Sequence, residues 1–295
     1  MSAPQPHVLP DRAPRRTSPG LLARVTRNPL GLLGLLLTLG VLLLALGAPL
    51  LSPVGPLDQQ ILERFKPPSV SHPLGTDQFG RDTLARILYG YRASLSVAVA
   101  AVTIALLVGG SLGVIAAFMG GWLDRLIMRV MDVLLAFPVI LLAIGIVAVL
   151  GQGQFNTALA IGVVYIPTFA RLLRGPALVL KASDYVSAAQ ALGARDARII
   201  FRHILPNITA VVLVQTSLAL STAILVEASL SFLGLGTQPP HPSLGLMLSE
   251  SRTFLTLQPW PAVFSGLAIL LASLGFNLLG DSLRDILDPR LRGRD

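Results

Sequence analysis

Six long apolar stretches, separated by polar gaps, set the pattern of the chain. They run from Pro29 to Leu51, about Ala93 to Met119, about Val130 to Leu150, about Phe155 to Leu173, about Ile208 to Leu233 and about Trp260 to Gly280. A bilayer core needs about 20 apolar residues in helical form, because an unpaired peptide group in lipid is too costly. The pattern therefore predicts an all-α polytopic membrane protein with six transmembrane helices. The first stretch carries no charge. It comes after "RVTRNPLG" and is too long for a signal-peptide core of about 7–15 residues, so a retained span is expected.

Composition agrees. Of the 295 residues, 53% are hydrophobic and 13% charged, whereas a soluble domain carries about 25% charged residues. The net charge of +8 comes almost wholly from arginine, and it lies in the gaps rather than in a patch beside aromatics, which argues against nucleic acid as a partner. With the amino terminus inside, the tail, 120–129, 171–207 and 281–295 hold 17 of the 23 basic residues. That bias predicts both termini and the 174–207 loop in the cytoplasm and 52–92 outside. The expected organisation is a disordered tail (1–28), a first helix (29–51), an outer segment (52–92), a five-helix core (93–280) and an inner tail (281–295). There is no cysteine, which excludes disulfides, thiol nucleophiles and cysteine-ligated metals.

The outer segment contains "HPLGTDQFGRDTLARILYGYRASL". Asp82 is placed to cap a helix beginning at Thr83, and Asp77 to pair with Arg81. A structural entry to the second span is expected there, with no histidine or second carboxylate cluster to support metal or acid–base chemistry. Inside the spans, Asp132 is expected to pair with Arg129 or Arg125. Pro138 and Pro167 are expected to kink their helices, and Asn277 to bridge helices. Glu227 has two readings: it lines the outer translocation path or meets a partner subunit, or it hydrogen-bonds locally. Asp281, Arg284, Asp285 and Asp288 are expected to form a helix cap and ion pairs. His203 and His241 stand alone, so no metal site, catalytic residue or cofactor is assigned.

The segment "DYVSAAQALGARDARIIFRHILPN", Asp184 to Asn207, is polar between two apolar runs. At about 100° per residue, Arg195, Arg198 and Arg202 share one helix face, with Ala197, Ile200 and Ile204 opposite. That predicts an amphipathic helix at the membrane surface, stopped by Pro206. Ser187, Ala188, Ala189, Ala191 and Gly193 are small and admit a close neighbour. Gly193 is suited to the left-handed turn that ends a helix. A tip of Leu192, Gly193 and Ala194, flanked by Arg195 and Asp196, suits docking into a groove on a partner.

This segment resembles the cytoplasmic loop of ABC-importer permeases, whose pattern is Glu-Ala-Ala, three residues, Gly, nine residues, Ile, one residue, Leu-Pro. Here those places hold Ser187, Ala188, Ala189, Gly193, His203, Leu205 and Pro206, with Ser187 for the usual Glu and His203 for the usual Ile. "HPLGTDQFGRD", "EASLSFLGLGTQPPHPSLG" and "NLLGDSLRDILDPRLR" look like segments of the second, shorter permease in the dipeptide/oligopeptide/nickel branch. The resemblance implies a type I ABC-importer permease fold in the inner membrane. It also implies a second homologous permease, two ATPase subunits gripping the loop, and an extracytoplasmic solute-binding protein. Peptides are the first expectation for the solute, with nickel or another small solute as the alternative. The chain lacks the GxxxxGK[ST] phosphate loop, so it is expected to be no enzyme and to take its energy from a separate protein. The other class of reading, an ion-gradient-driven secondary transporter, would show inverted repeats and broken midplane helices, and neither is evident.

Overall fold

The computed structural model describes residues 21–287. Expectations for the tail before residue 21, and for residues from Asp288 onward, lie outside that range. The rest of the expected disordered tail is helical: α1 (Leu21–Arg27) buries Val25 and leads straight into α2 (Pro29–Leu46). The link is local chemistry. Asn28 Oδ1 accepts from Leu30 N–H at 3.0 Å, and Pro29 fills a first-turn position that needs no N–H. The first span ends at Leu46 rather than Leu51. Pro49 cannot donate to the preceding turn, and the chain restarts as the short α3 (Ala48–Leu51).

The second span begins ten residues earlier than the apolar pattern predicts. α4 (Thr83–Ile104) passes through one π-helical turn (Ala105–Gly109) into α5 (Gly110–Met119), 37 residues in all. These ten residues carry two charges: Arg86 is neutralised inside the protein, and Arg92 is exposed. The third span is not a kinked rod but two helices, α6 (Gly121–Leu135) and α7 (Val139–Leu150), bent by 94°. Pro138 removes one ladder bond and pushes Phe137 out of helical geometry, so the helix breaks at that point. The contrary case is α8 (Gln154–Lys181), which runs unbroken through Pro167 and Pro176. Then come α9 (Asp184–Ala191), α10 (Asp196–Ile199), a second π-helical turn (Ile200–Ile204) and α11 (Leu205–Phe232). The last elements are α12 (Leu244–Arg252) and α13 (Trp260–Leu287). By length and apolarity five helices can cross a membrane, six if α6 and α7 count as one span, and no strand forms among the described residues.

The bundle closes by small residues and by inward hydroxyls. Gly34 of α2 lies so near α13 that a Cβ there would sit 2.6 Å from Leu279 N, a close approach typical of helices packed in lipid. Tyr91 donates to Ala268 O at 3.1 Å, and Ser221 to Ser273 O at 2.8 Å, tying α4 and α11 to α13. The core runs through α4, α8, α11 and α13, with Phe169, Ile161 and Ile224 buried in it. α13 continues to Leu287, so Asp281, Arg284 and Asp285 do not cap it, and no ion pair forms among them. Asn277 likewise has no side-chain hydrogen bond in the described residues.

Candidate functional site

One end of the bundle carries α9 and the turn after it. Here α8 ends at Lys181, whose ammonium donates to Phe118 O at 2.5 Å, and the chain reverses through Ala182 and Ser183. Asp184 begins α9 with a carboxylate in the first turn, as the helix dipole favours. The helix ends in a Schellman motif: Ala194 N–H donates to Ala189 O at 3.0 Å, and Gly193 N–H to Gln190 O at 2.9 Å. That geometry puts Gly193 at φ +80°, where glycine alone is unstrained. Leu192 is 89% exposed at the tip. Ser187, Ala188, Ala191 and Gly193 are exposed beside it, and Ala189 is half-buried. The sequence places Arg195 and Asp196 next, and both are exposed as α10 begins.

The base of this loop is packed. Val186, Ile199, Ile204 and Ile208 are buried against Val114, Ala117 and Phe118 of α5 and Leu173 and Ala177 of α8. The arginine face is as predicted, with Arg195, Arg198 and Arg202 exposed; on the opposite face Ile204 is buried and Ile200 half-buried as expected, Ala197 is exposed, and Ile199 is buried in addition. The expected separate surface helix is absent. The π-helical turn joins α10 to α11 without a stop, and Leu205 and Pro206 open α11. A wider turn accommodates a proline that lacks its N–H. His203 is half-buried, its ring centroid 6.1 Å from that of Tyr185. Ala189, Leu192, Gly193, Arg198 and Arg202 line a concavity of about 370 Å³ beside the tip.

α6 is fastened to α8 near the same end. Asp132 pairs with Arg171, not with Arg125 or Arg129, and Asp124 takes Arg174 in a two-pronged pair at 2.6 Å. The partners lie on the neighbouring helix, a contact that spacing within α6 does not reveal.

The α12 end holds a second polar construction, largely missed in the sequence. Asp82 caps α4, accepting from Ala85 N–H at 2.8 Å, and Asp77 binds Arg81 Nε at 2.6 Å, both as expected. Asp77 also binds Arg86 Nη1 at 2.6 Å, and Glu250 of α12 accepts from Arg86 at 2.9 Å and from Arg81 at 3.2 Å. Arg86 is 1% exposed. A basic residue flanked by apolar ones in "TLARILYG" was the available signal that an acid must meet it. The expectation that no histidine joins this region fails: His72 Nδ1 lies 2.9 Å from Asp82 and Nε2 lies 2.7 Å from Glu63. These hydrogen bonds raise the His72 pKa, that to Asp82 most, and lower that of Glu63, where Lys66 contributes most. Glu227 is fully buried and accepts from Ser231 at 2.7 Å, which is the local bond of its second reading. Among the described residues no group of three His, Cys, Asp or Glu is arranged to hold a metal ion.

Comparison with known proteins adds names to this geometry. The family described as binding-protein-dependent transport system inner membrane component matches residues 109–293, and the N-terminal TM domain of oligopeptide transport permease C matches residues 21–68. The dipeptide transport system permease protein DppC of Alkalihalophilus pseudofirmus is 47% identical over 269 residues, 91% of this chain and 88% of that protein. The glutathione transport system permease protein GsiD of Pectobacterium atrosepticum is 49% identical over 225 residues, 76% of this chain and 75% of that protein. A putative peptide transport system permease protein of Brucella abortus is 44% identical over 294 residues, 99% of this chain and 98% of that one. Among solved structures, the MetNI methionine ABC transporter in an inward facing conformation aligns with TM-score 0.56 at 16% identity, covering 69% of this chain and 97% of that one. At that identity the likeness concerns the fold alone.

Proposed function

This chain belongs to the family of binding-protein-dependent transport system inner membrane components and is a permease subunit of an ABC importer; from that premise we propose that it carries di- or oligopeptides and engages its ATPase through Ser187–Asp196. A permease of this kind works with a partnering permease, an ATPase and a binding protein. We assign the full assembly as two permeases, two ATPases and one extracytoplasmic binding protein. The peptide assignment draws support from relatives named for dipeptide, peptide and glutathione transport.

The observation that carries the docking assignment is an exposed tip on a buried base. Ser187, Ala188 and Ala189 let a partner backbone approach. Leu192, Gly193 and Ala194 form the knob, and Arg195 and Asp196 flank it with opposite charges. Leu205 and Pro206 hand displacement to α11. Because Val186, Ile199 and Ile204 are packed on α5 and α8, a push at Leu192 is carried to those helices rather than absorbed by a slack loop. For Glu227 we assign the local role, because it is enclosed and its Oε1 is bonded within α11; its Oε2 has no hydrogen-bond partner among the described residues. The arginine bias supports a cytoplasmic tip and both termini inside, with the segment between α3 and α4 outside.

The test exploits the absence of cysteine. Leu192→Cys, placed in the reconstituted importer, should cross-link to a cysteine in the ATPase groove. Uptake of a labelled dipeptide should require hydrolysable nucleotide and survive a proton uncoupler. Failure of every tip position to capture the ATPase would overturn the docking assignment.

A further inference from the structure

At the α12 end, residues 89–96 of α4, Pro56 and Leu57, the start of α8 and the 237–242 loop border an open concavity of about 820 Å³. That lies within the range of about 300–1,000 Å³ usual for small-molecule sites. Tyr89, Arg92, Gln154, Gln238 and His241 supply its polar lining, and no carboxylate faces it. Arg92 is exposed and makes no ion pair or hydrogen bond among the described residues, whereas Arg81 and Arg86 nearby are each bound to two carboxylates.

The walls are fixed independently of any ligand. Gln154 Nε2 donates to Thr237 Oγ1 at 3.1 Å, and Gly153 N–H to Leu235 O at 3.3 Å, fastening the loop to α8. Gln238 Nε2 donates to Gly234 O at 2.9 Å and Gly236 O at 3.1 Å. That leaves its carbonyl oxygen as an acceptor. Pro56, Pro239, Pro240 and Pro242 stiffen the rim. The result is a rigid hollow with a free guanidinium and an amide oxygen. A short peptide offers the complement, a terminal carboxylate and N–H donors.

We propose that this hollow receives the transported peptide as it leaves the binding protein, with Arg92 binding its C-terminal carboxylate. The inference rests on the peptide reading and on the α12 end facing outward. It gives the permease its own preference for a free C-terminus, separate from that of the binding protein.

The experiment uses the complete importer in proteoliposomes. A dipeptide and its C-terminal amide are chosen so that calorimetry shows both loading the binding protein. The wild type should take up the acid about tenfold faster than the amide, the size expected for one charge-assisted hydrogen bond. Arg92→Gln should lower acid uptake to the rate of the amide, and Arg92→Lys should retain part of the preference. Nucleotide hydrolysis stimulated by loaded binding protein verifies that each variant is assembled. An acid-to-amide ratio unchanged in Arg92→Gln overturns the inference. So does an equal loss for both solutes with weakened binding-protein association, which would make Arg92 a docking residue. A wild type that moves neither solute fails at the peptide reading instead, and is recognised by absent uptake before any substitution.

Discussion

Arg86 and Glu250 are 164 positions apart in the chain and 2.9 Å apart in space. With Asp77 and Arg81 they make a closed set of two cations and two anions, joining the segment before α4 to α12. Taking one member from a buried set strands the others. Arg86→Met should lower stability by about 3 kcal/mol, whereas the paired change Arg86→Met with Glu250→Met keeps the charges balanced and should recover much of the loss. Thermal unfolding of the purified complex, run as a double-mutant cycle, checks this. Additive losses would show that the two residues do not act together.

Gly193 should tolerate substitution poorly for a reason that lies outside the protomer. Nothing in the chain lies within 4 Å of a Cβ built there, so bulk meets no internal obstacle. The positive φ costs a non-glycine residue about 1 kcal/mol locally. Gly193→Trp should therefore insert and accumulate normally yet abolish transport. Membrane quantification beside an uptake assay tests it, and full uptake at normal abundance would contradict the docking role.

Gly34 predicts the opposite behaviour. A side chain there meets the backbone of Leu279, which cannot turn aside. Gly34→Val should cost about 1–3 kcal/mol as overpacking and part α2 from α13. Limited proteolysis between α2 and α4 should accelerate; unchanged cleavage would show that the seam yields.

His72 should make the segment before α4 pH-sensitive. Both ring nitrogens face carboxylates, Asp82 and Glu63, and Lys66 holds the latter. The folded His72 pKa lies above 6.5, so its contribution is complete below 6.5 and is lost as pH rises through the folded value. Glu63 lies below 4.5, so its contribution is present above 4.5 and is lost as pH falls through the folded value. Hydrogen-exchange protection of residues 63–83, taken relative to the intrinsic exchange rate at each pH, should be greatest between those limits. His72→Gln should remove the alkaline loss of protection; a loss that persists would assign it to another group.

The spans were legible because lipid demands long apolar helices, and the tip because small residues and a helix-ending glycine have local causes. Asp82 and the Asp77–Arg81 pair were legible for the same reason: each is settled within a few residues. Arg86–Glu250, Arg171–Asp132 and Arg174–Asp124 were not, since each joins helices far apart in sequence. Pro138 and Pro167 show the same limit. Sequence marks both as lost hydrogen bonds, but packing decides that one breaks the helix while the other is carried within it.

The right angle at Pro138 has a consequence for the barrier itself. With α6 turned aside, the twelve residues of α7 rise only about 18 Å, well short of a hydrocarbon layer of about 30 Å. The rest of that depth has to be met by thinned lipid or by whatever packs beside the short helix. At this place the crossing depends on its neighbours rather than on one continuous apolar rod.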